Sequence, residues 1–245
     1  MMGRFRRWVA SFFRPPRQER LDLGRRQVIA AGLGGLGAGL LFRIHPQASQ
    51  RSFHAALIRP PGAVTEDEFL SKCIRCGECM KVCPTNAIHP TSLEAGLEGI
   101  WSPVLKFNIG FCEYECTLCT QVCPTKAIRE LRVEEKQQVK IGLAFFDKNR
   151  CLPYALARTC IVCEEHCPTP KKAIWFEEVE VTRRGGEKVR VKQPRIDPGL
   201  CIGCGICETK CPIKDRPGVY VTSAGETRNP ENKVLLTEGS PYGGS

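Results

Sequence analysis

Residues 73–84, CIRCGECMKVCP, and residues 201–212, CIGCGICETKCP, carry the same arrangement of four cysteines and a proline. In both stretches two, two and three residues separate the successive cysteines, and the proline follows the last of them. Residues 112–124 and 151–168 end in the same way, but their first gaps contain three and eight residues. The chain therefore carries a fourfold internal repeat, and the rest of its sequence is best interpreted around that repeat.

The four quartets contain all sixteen cysteines of the 245-residue chain. The candidate site residues are Cys73, Cys76, Cys79 and Cys83 in the first quartet, Cys112, Cys116, Cys119 and Cys123 in the second, Cys151, Cys160, Cys163 and Cys167 in the third, and Cys201, Cys204, Cys207 and Cys211 in the fourth. Secreted disulfide scaffolds are usually shorter and richer in cysteine. The count and the repetition together favour metal binding over a disulfide framework.

The spacing has a chemical reason. A [4Fe–4S] cube needs four thiolates, and three closely spaced cysteines on one loop can bind three of its corners. In the bacterial pattern C-x2-C-x2-C-x3-C-P, the fourth cysteine binds the other cluster of a pair. Gly77, Gly203 and Gly205 would let the backbone approach the sulfurs closely. The sequence therefore predicts four [4Fe–4S] clusters as cofactors, with Cys151 departing furthest from the pattern because of its wide gap.

Other metal sites fit less well. Structural zinc uses two C-x2-C pairs separated by a longer stretch and needs neither a third near cysteine nor a terminal proline. A Rieske centre needs two histidine ligands, and the chain has only four histidines. His166 stands beside Cys167, but it is interpreted as a bystander.

The N-terminal segment has a different character. Residues 1–27 contain eight arginines and two acids, and an uncharged apolar run follows at 28–42. A basic segment before an apolar one is typical of an export signal, and the pair Arg25 and Arg26 directly before the run resembles a twin-arginine signal. The 15-residue run is short for a membrane span, which needs about 20 residues. An arginine-rich membrane anchor and a cleaved or retained signal remain open as alternatives.

The charge distribution argues against nucleic acid as a partner. The formal net charge is +10, of which residues 1–27 contribute +6. Four thiolates on an oxidised cube leave a charge of roughly −2 per cluster. The part of the chain after residue 27 is therefore expected to be acidic once clusters are bound. The basic character belongs to the N-terminus and predicts contact with a membrane surface.

Residues 65–222, together with the twin arginine in front of them, resemble the NapG/MauM-type ferredoxins. This resemblance implies a periplasmic iron–sulfur protein that serves an oxidoreductase system. It implies an α+β fold of two bacterial 2[4Fe–4S] ferredoxin-like units. The expected organisation is a basic region at 1–27, an apolar signal or anchor at 28–42, a linker at 43–64, the cluster domain at 65–222 and a flexible tail at 223–245.

The order of the predicted strands favours nested units. Residues 126–131 are predicted to form a strand after the second quartet and 140–147 a strand before the third, while 173–182 and 188–192 are predicted to form an added β-hairpin. Quartets two and three would then form an inner unit, and quartets one and four an outer unit closed by 218–222. Tandem pairing, one with two and three with four, is the alternative.

Nesting makes a specific prediction about the ligands. It joins Cys211 to the first three cysteines of quartet one, Cys83 to those of quartet four, Cys167 to those of quartet two and Cys123 to those of quartet three.

We also expect Trp101, in the linker 91–111, to be a packing residue. The cubes are expected to be surrounded by Ile74, Val82, Ile88, Val122, Ile128, Ile161, Ile174, Ile202 and Ile206.

The function predicted is electron transfer rather than catalysis. The chain lacks a P-loop, a G-x-S-x-G and an H-E-x-x-H motif, and the G-x-G-x-x-G match at 32–37 falls inside the predicted signal. The resemblance implies a membrane quinol-oxidising or iron–sulfur protein as donor and a periplasmic reductase or cytochrome as acceptor. A factor for the maturation or assembly of a periplasmic redox enzyme is the alternative, and a subunit held in the cytoplasm by an uncleaved anchor is a further one.

Overall fold

The computed structural model describes residues 56–183 and 185–229, together with Ile29, Gly32 and Asn232. Arg25, Arg26 and nearly all of the apolar segment 28–42 therefore lie outside the described residues, as does most of the predicted tail. The chain divides into two compact units, 1–51 and 52–245, and every element named below belongs to the second. No helix within the described residues is both long enough and apolar enough to cross a membrane.

The helices of this unit are short, and several of them begin inside a cysteine motif. In chain order they are α1 (Glu66–Lys72), α2 (Glu78–Lys81), α3 (Leu118–Gln121), α4 (Val133–Gln138), α5 (Leu152–Ala155), α6 (Val162–Glu165) and α7 (Ile206–Lys210). The third cysteine of each quartet lies within α2, α3, α6 or α7. Each motif therefore makes a loop that ends in about one helical turn.

The strands form three two-stranded antiparallel sheets. They are β1 (Ile88–Pro90), β2 (Pro103–Leu105), β3 (Leu143–Phe146), β4 (Ile174–Thr182), β5 (Lys188–Ile196) and β6 (Val219–Thr222). Strand β1 pairs with β2, β3 with β6, and β4 with β5. The predicted strand at 126–131 is reduced to a single β-bridge between Ala63 and Ile128.

Two pairings close the chain into tandem halves. The Ala63–Ile128 bridge joins the segment before quartet one to the segment after quartet two. In the same way, β3 precedes quartet three and pairs with β6, which follows quartet four. In each half the chain therefore returns to its own beginning after two quartets, an arrangement that does not fit the nested order.

A buried charged cluster ties the two ends of the described fold together. The Arg59 side chain is buried and donates to Glu66 and to the Ser102 hydroxyl, the latter at 2.8 Å. Glu66 also pairs with Arg228 at 2.7 Å, and Arg228 pairs with the buried Glu226. Burial alone would raise the pKa of Glu66, but the two guanidinium groups outweigh it and lower that pKa below its usual value.

This cluster corrects two predicted boundaries. Residues 57–64, assigned to a linker, are buried against the core, and Ser223, Ala224 and Glu226, assigned to a flexible tail, are buried as well. The backbone amide of Thr227 donates to the carbonyl of Lys140 at 2.9 Å. The tail is predicted to be flexible because it is polar and rich in glycine and proline, whereas ion pairs and backbone hydrogen bonds hold its first residues in place.

The linker between the first two quartets also differs from the prediction. Trp101 is 67% exposed and adopts a φ of 67°, so it is not a packing residue. The loop is instead closed by the buried pair Thr91 and Ser102, whose backbone groups bond at 2.8 Å. Its apolar side chains Leu93 and Leu97 are exposed too, so this loop contributes little to the core.

Strands β4 and β5 form a hairpin between quartets three and four that is longer than the sequence suggested. Its second strand runs to Ile196 rather than ending at Lys192. Ile174 and Ile196 pair at its base and are buried, and the Tyr154 hydroxyl of α5 donates to the carbonyl of Pro194 at 2.6 Å. The base of the hairpin therefore packs on the half that contains quartet three.

Candidate metal centre

The first thiol set consists of Cys73, Cys76 and Cys79 with Cys123 from the second quartet. All four line one cavity of about 380 Å³, part of which is open to solvent. Burial and then the neighbouring thiols of this set raise the pKa of Cys79 to about 12. Three cysteines of one quartet are thus joined by the last cysteine of the next.

The third and fourth thiol sets follow the same rule in the second half of the chain. Their cavities, of about 340 and 350 Å³, are each lined by three cysteines of one quartet and the last cysteine of the other. The third set is Cys151, Cys160, Cys163 and Cys211. The fourth is Cys201, Cys204, Cys207 and Cys167. Cys151 takes its predicted place beside its own quartet despite the eight-residue gap.

The second thiol set consists of Cys112, Cys116 and Cys119 with Cys83 from the first quartet. Burial raises the pKa of the Cys119 thiol, and the charges of the other three members of the set raise it further. The hydroxyl of Thr85, two residues after Cys83, donates to the carbonyl of Phe111 beside Cys112, so Cys83 lies next to this loop. The second set completes the exchange of last cysteines between quartets one and two.

The nested pairing is thus wrong. Cys123 lies with the first quartet and Cys83 with the second, and Cys167 and Cys211 exchange within the second half. The physical reason lies in the closing pairs of the fold, because the Ala63–Ile128 bridge and the β3–β6 sheet bring consecutive quartets together. The identical spacing of quartets one and four determines only the shape of each cysteine loop. It does not indicate which other quartet supplies the fourth cysteine.

The last cysteines of quartets one, two and four accept backbone hydrogen bonds at their sulfurs. The amide of Ala87 donates to Cys83 at 3.3 Å, that of Ile128 to Cys123 at 3.5 Å and that of Gly218 to Cys211 at 3.3 Å. For Cys83 and Cys123, burial raises the pKa, but these hydrogen bonds and those of nearby threonines outweigh it and lower the pKa below its usual value. At these two positions the surroundings therefore favour the thiolate, the form that binds metal.

Sequence reasoning missed the threonines beside these sulfurs. Hydroxyl groups of Thr85, Thr125 and Thr169 lie 3.5, 3.8 and 3.2 Å from the sulfurs of Cys83, Cys123 and Cys167. The signal was present, because three of the four Cys-Pro pairs are followed directly by threonine. A hydroxyl two residues after a cysteine can reach back to its sulfur.

The apolar surroundings of the thiol sets agree with the prediction in part. Ile88, Ile128, Ile174 and Ile202 are buried. Ile74 and Ile161, each of which follows a cysteine directly, are instead 63% and 40% exposed. These two side chains lie at the rim of the cysteine loops and leave the sets beside them open to solvent on that side.

Neighbouring thiol sets also lie next to one another in a definite order. Cys79 of the first set is among the thiols whose charges raise the pKa of buried Cys119 in the second. The amide of Cys112 in the second set donates to the carbonyl of Cys204 in the fourth at 2.8 Å. Cys207 of the fourth set lines the cavity of the third. The sets therefore form a row in the order first, second, fourth, third.

The thiols fit an iron–sulfur cube. All sixteen cysteines are free of disulfides, and each set supplies the four thiols that such a cube requires. Among the described residues no three Cys, His, Asp or Glu side chains converge closely enough to hold a single metal ion. The thiols surround a cavity with largely apolar walls, and hydrogen bonds to the sulfurs complete the surroundings.

Comparison with known proteins agrees with this geometry. The family model described as a 4Fe-4S dicluster domain matches residues 72–127, and the one described as a 4Fe-4S binding domain matches residues 193–220. The first match spans quartets one and two together, as tandem pairing requires. No solved structure shows significant similarity to the chain.

Two relatives illustrate the extent of the similarity. The ferredoxin-type protein NapG of Escherichia coli is 33% identical over 203 residues, which cover 81% of this chain and 85% of the relative. The methylamine utilization ferredoxin-type protein MauM of Methylorubrum extorquens is 31% identical over 229 residues, which cover 90% and 97%. The similarity therefore extends over nearly the whole of both relatives.

Proposed function

Because the chain belongs to the family of ferredoxin-type proteins that includes NapG and MauM, we propose that each of its four thiol sets holds one [4Fe–4S] cluster. The sixteen cysteines of the four quartets are the ligands, paired in tandem as described above. When bound, each cluster supplies one-electron redox chemistry. The protein is an iron–sulfur electron-transfer protein, and the finer proposal is that it works as a relay of four centres rather than as an enzyme.

The continuous row of thiol sets is the observation that carries this proposal. The hydrogen bond from the Cys112 amide to the Cys204 carbonyl joins the two halves. Within each half, α2 contacts α3 and α6 contacts α7, and these helices carry the third cysteine of each quartet. The protein fixes the spacing and excludes water at these junctions, since Cys79, Cys119, Cys163 and Cys207 are buried. Such a row suits the transfer of electrons from a cluster at one end to a cluster at the other. This transfer needs neither a substrate pocket nor a catalytic acid.

The two ends of the row suggest where partners approach. Cys76 of the first set is exposed, and Ile74 beside it is 63% exposed. At the other end, Ile161 beside Cys160 of the third set is 40% exposed. We place a membrane quinol-oxidising or iron–sulfur donor and a periplasmic reductase or cytochrome acceptor at these ends, without assigning a direction.

A vesicle experiment tests the relay. The purified holoprotein is mixed anaerobically with membrane vesicles of its host, with and without reduced quinol, and its clusters are followed by EPR. We expect reduction only when quinol is present, followed by reoxidation when a periplasmic extract is added. If the clusters stay silent at every accessible potential and deletion abolishes only the maturation of a reductase, the relay is wrong and the assembly factor takes its place.

We also propose export by the twin-arginine route to the periplasmic face of the inner membrane. Arg25 and Arg26 stand directly before the apolar segment 28–42, and this route carries folded proteins, so clusters can be inserted before export. Replacing both arginines with lysine is expected to leave the protein in the cytoplasm, as measured by fractionation. Unchanged export would contradict this route and favour another signal.

A further inference from the structure

A fully buried lysine lies beside the second thiol set. Lys136, in α4, has no exposed surface, and its ammonium group donates to the carbonyl of Glu113 and, at 2.9 Å, to that of Tyr114. Both carbonyls belong to the loop between Cys112 and Cys116. Burial raises the pKa of the Cys112 thiol, and the nearby Lys136 ammonium lowers it in part. A cation is thus held against one loop of metal ligands.

This cation has no carboxylate partner in the part of the chain that the structure describes. Buried charges are normally paired because their desolvation is costly, and the other buried cation, Arg59, is paired with Glu66. Lys136 is satisfied by two carbonyls and the nearby Tyr114 ring. Four thiolates around a cluster would provide the negative charge that the apoprotein side chains do not.

The other thiol sets lack an equivalent buried cation among the described residues. Lys140 is near Cys201 of the fourth set, but it is only half-buried, and its ammonium donates to the carbonyl of Pro198 at 2.7 Å. Burial raises the pKa of Cys207 in the same set, and among the charges that raise it further is that of Glu208, a carboxylate. Lys136 therefore distinguishes the second set from its neighbours by charge.

We propose that Lys136 tunes the second centre of the row by raising its reduction potential relative to its neighbours. This inference rests on the proposed function, because it requires a cluster in the second set. Adding an electron increases the negative charge of a thiolate-bound cluster, and a nearby buried cation stabilises the more negative state. Lys136 acts through Coulombic attraction, and its ammonium is held in place by two carbonyls of the Cys112–Cys116 loop, so it is a tuning residue rather than a ligand.

An EPR-monitored redox titration of variants tests this proposal. Lys136→Met removes the charge and keeps the length of the side chain, whereas Lys136→Arg keeps the charge. In the Met variant we expect the one-electron equilibrium of a single cluster to shift at least tenfold toward the oxidised form, about 59 mV. The other clusters of the Met variant and all clusters of the Arg variant should keep the potentials of the unchanged protein. In Lys140→Met, the matched control, the second cluster should keep its potential, because Lys140 lies beside the fourth set.

Each remaining outcome is decisive. A Met variant that retains all its iron and shows no shift overturns the proposal. If the Met variant loses the second cluster, Lys136→Gln, which can still donate to a carbonyl, replaces it in the titration. Loss of the cluster in both neutral variants assigns Lys136 a purely structural role and also overturns the proposal. Failure of the proposed function is distinguishable, because the unchanged protein would then show no reducible clusters.

Discussion

Replacing Cys123 with alanine is expected to remove one cluster, and adding Cys76→Ala to the same chain is expected to remove no more. Both thiols line the cavity of the first set, so each substitution destroys the same site. Iron analysis of either single variant and of the double variant should give about twelve atoms per chain, against about sixteen for the unchanged protein. Anaerobic purification followed by iron and sulfide determination makes the measurement.

A second double variant, in which the two replaced cysteines belong to different sets, is the control for this experiment. Cys76 and Cys211 lie in different sets, since Cys211 lines the cavity of the third. The Cys76→Ala, Cys211→Ala double variant is therefore expected to lose two clusters and retain about eight iron atoms. Nested units predict the opposite pattern, with two clusters lost in the Cys76, Cys123 variant and one in the Cys76, Cys211 variant. The two double variants together identify the pairing even if the individual EPR signals overlap.

Replacing Gly205 with alanine is expected to destabilise the protein strongly, whereas the same change at Gly77 is expected to have a smaller effect. Both glycines precede a short helix in equivalent motifs, with φ values of 77° and 78°. A Cβ at Gly205 would lie 2.1 Å from the ring of Phe107, which is itself buried, whereas a Cβ at Gly77 meets no atom within 4 Å. The two positions thus share their backbone conformation and differ in crowding.

The expected effects follow from that difference. A left-handed backbone costs an alanine about 1–2 kcal/mol, so Gly77→Ala should lower the stability by this amount alone. Gly205→Ala adds overpacking, which costs about 1–3 kcal/mol or more, and it forces apart the two halves near Cys204 and Cys112. Guanidinium unfolding, followed by the visible absorbance of the bound clusters, measures both variants. Equal midpoints for the two would contradict the close contact at Phe107.

The cysteine quartets could be predicted from the sequence because each is a local motif. Each quartet places three thiols on one loop. The partner of each loop could not be derived in the same way, because it depends on contacts far away in the chain. A one-residue bridge at Ala63 and Ile128 and the four-residue strands β3 and β6 determine the pairing, and neither is marked by a motif.

Lys136 shows a second limit of sequence reasoning. It stands in the polar stretch VEEKQQ of α4, where a lysine would ordinarily be placed on an exposed face. Its burial arises because α4 packs over the carbonyls of Glu113 and Tyr114, twenty-two or more residues earlier in the chain. Likewise Arg59, Glu66 and Arg228 lie at opposite ends of the fold and only the folded chain brings them together.

Iron and acid-labile sulfide per chain, measured on anaerobically purified protein together with EPR of the reduced form, test the central claim most directly. Four clusters in four thiol sets predict about sixteen iron and sixteen sulfide per chain, with signals of interacting [4Fe–4S] centres. About eight of each, or iron without sulfide, would contradict a row of four centres.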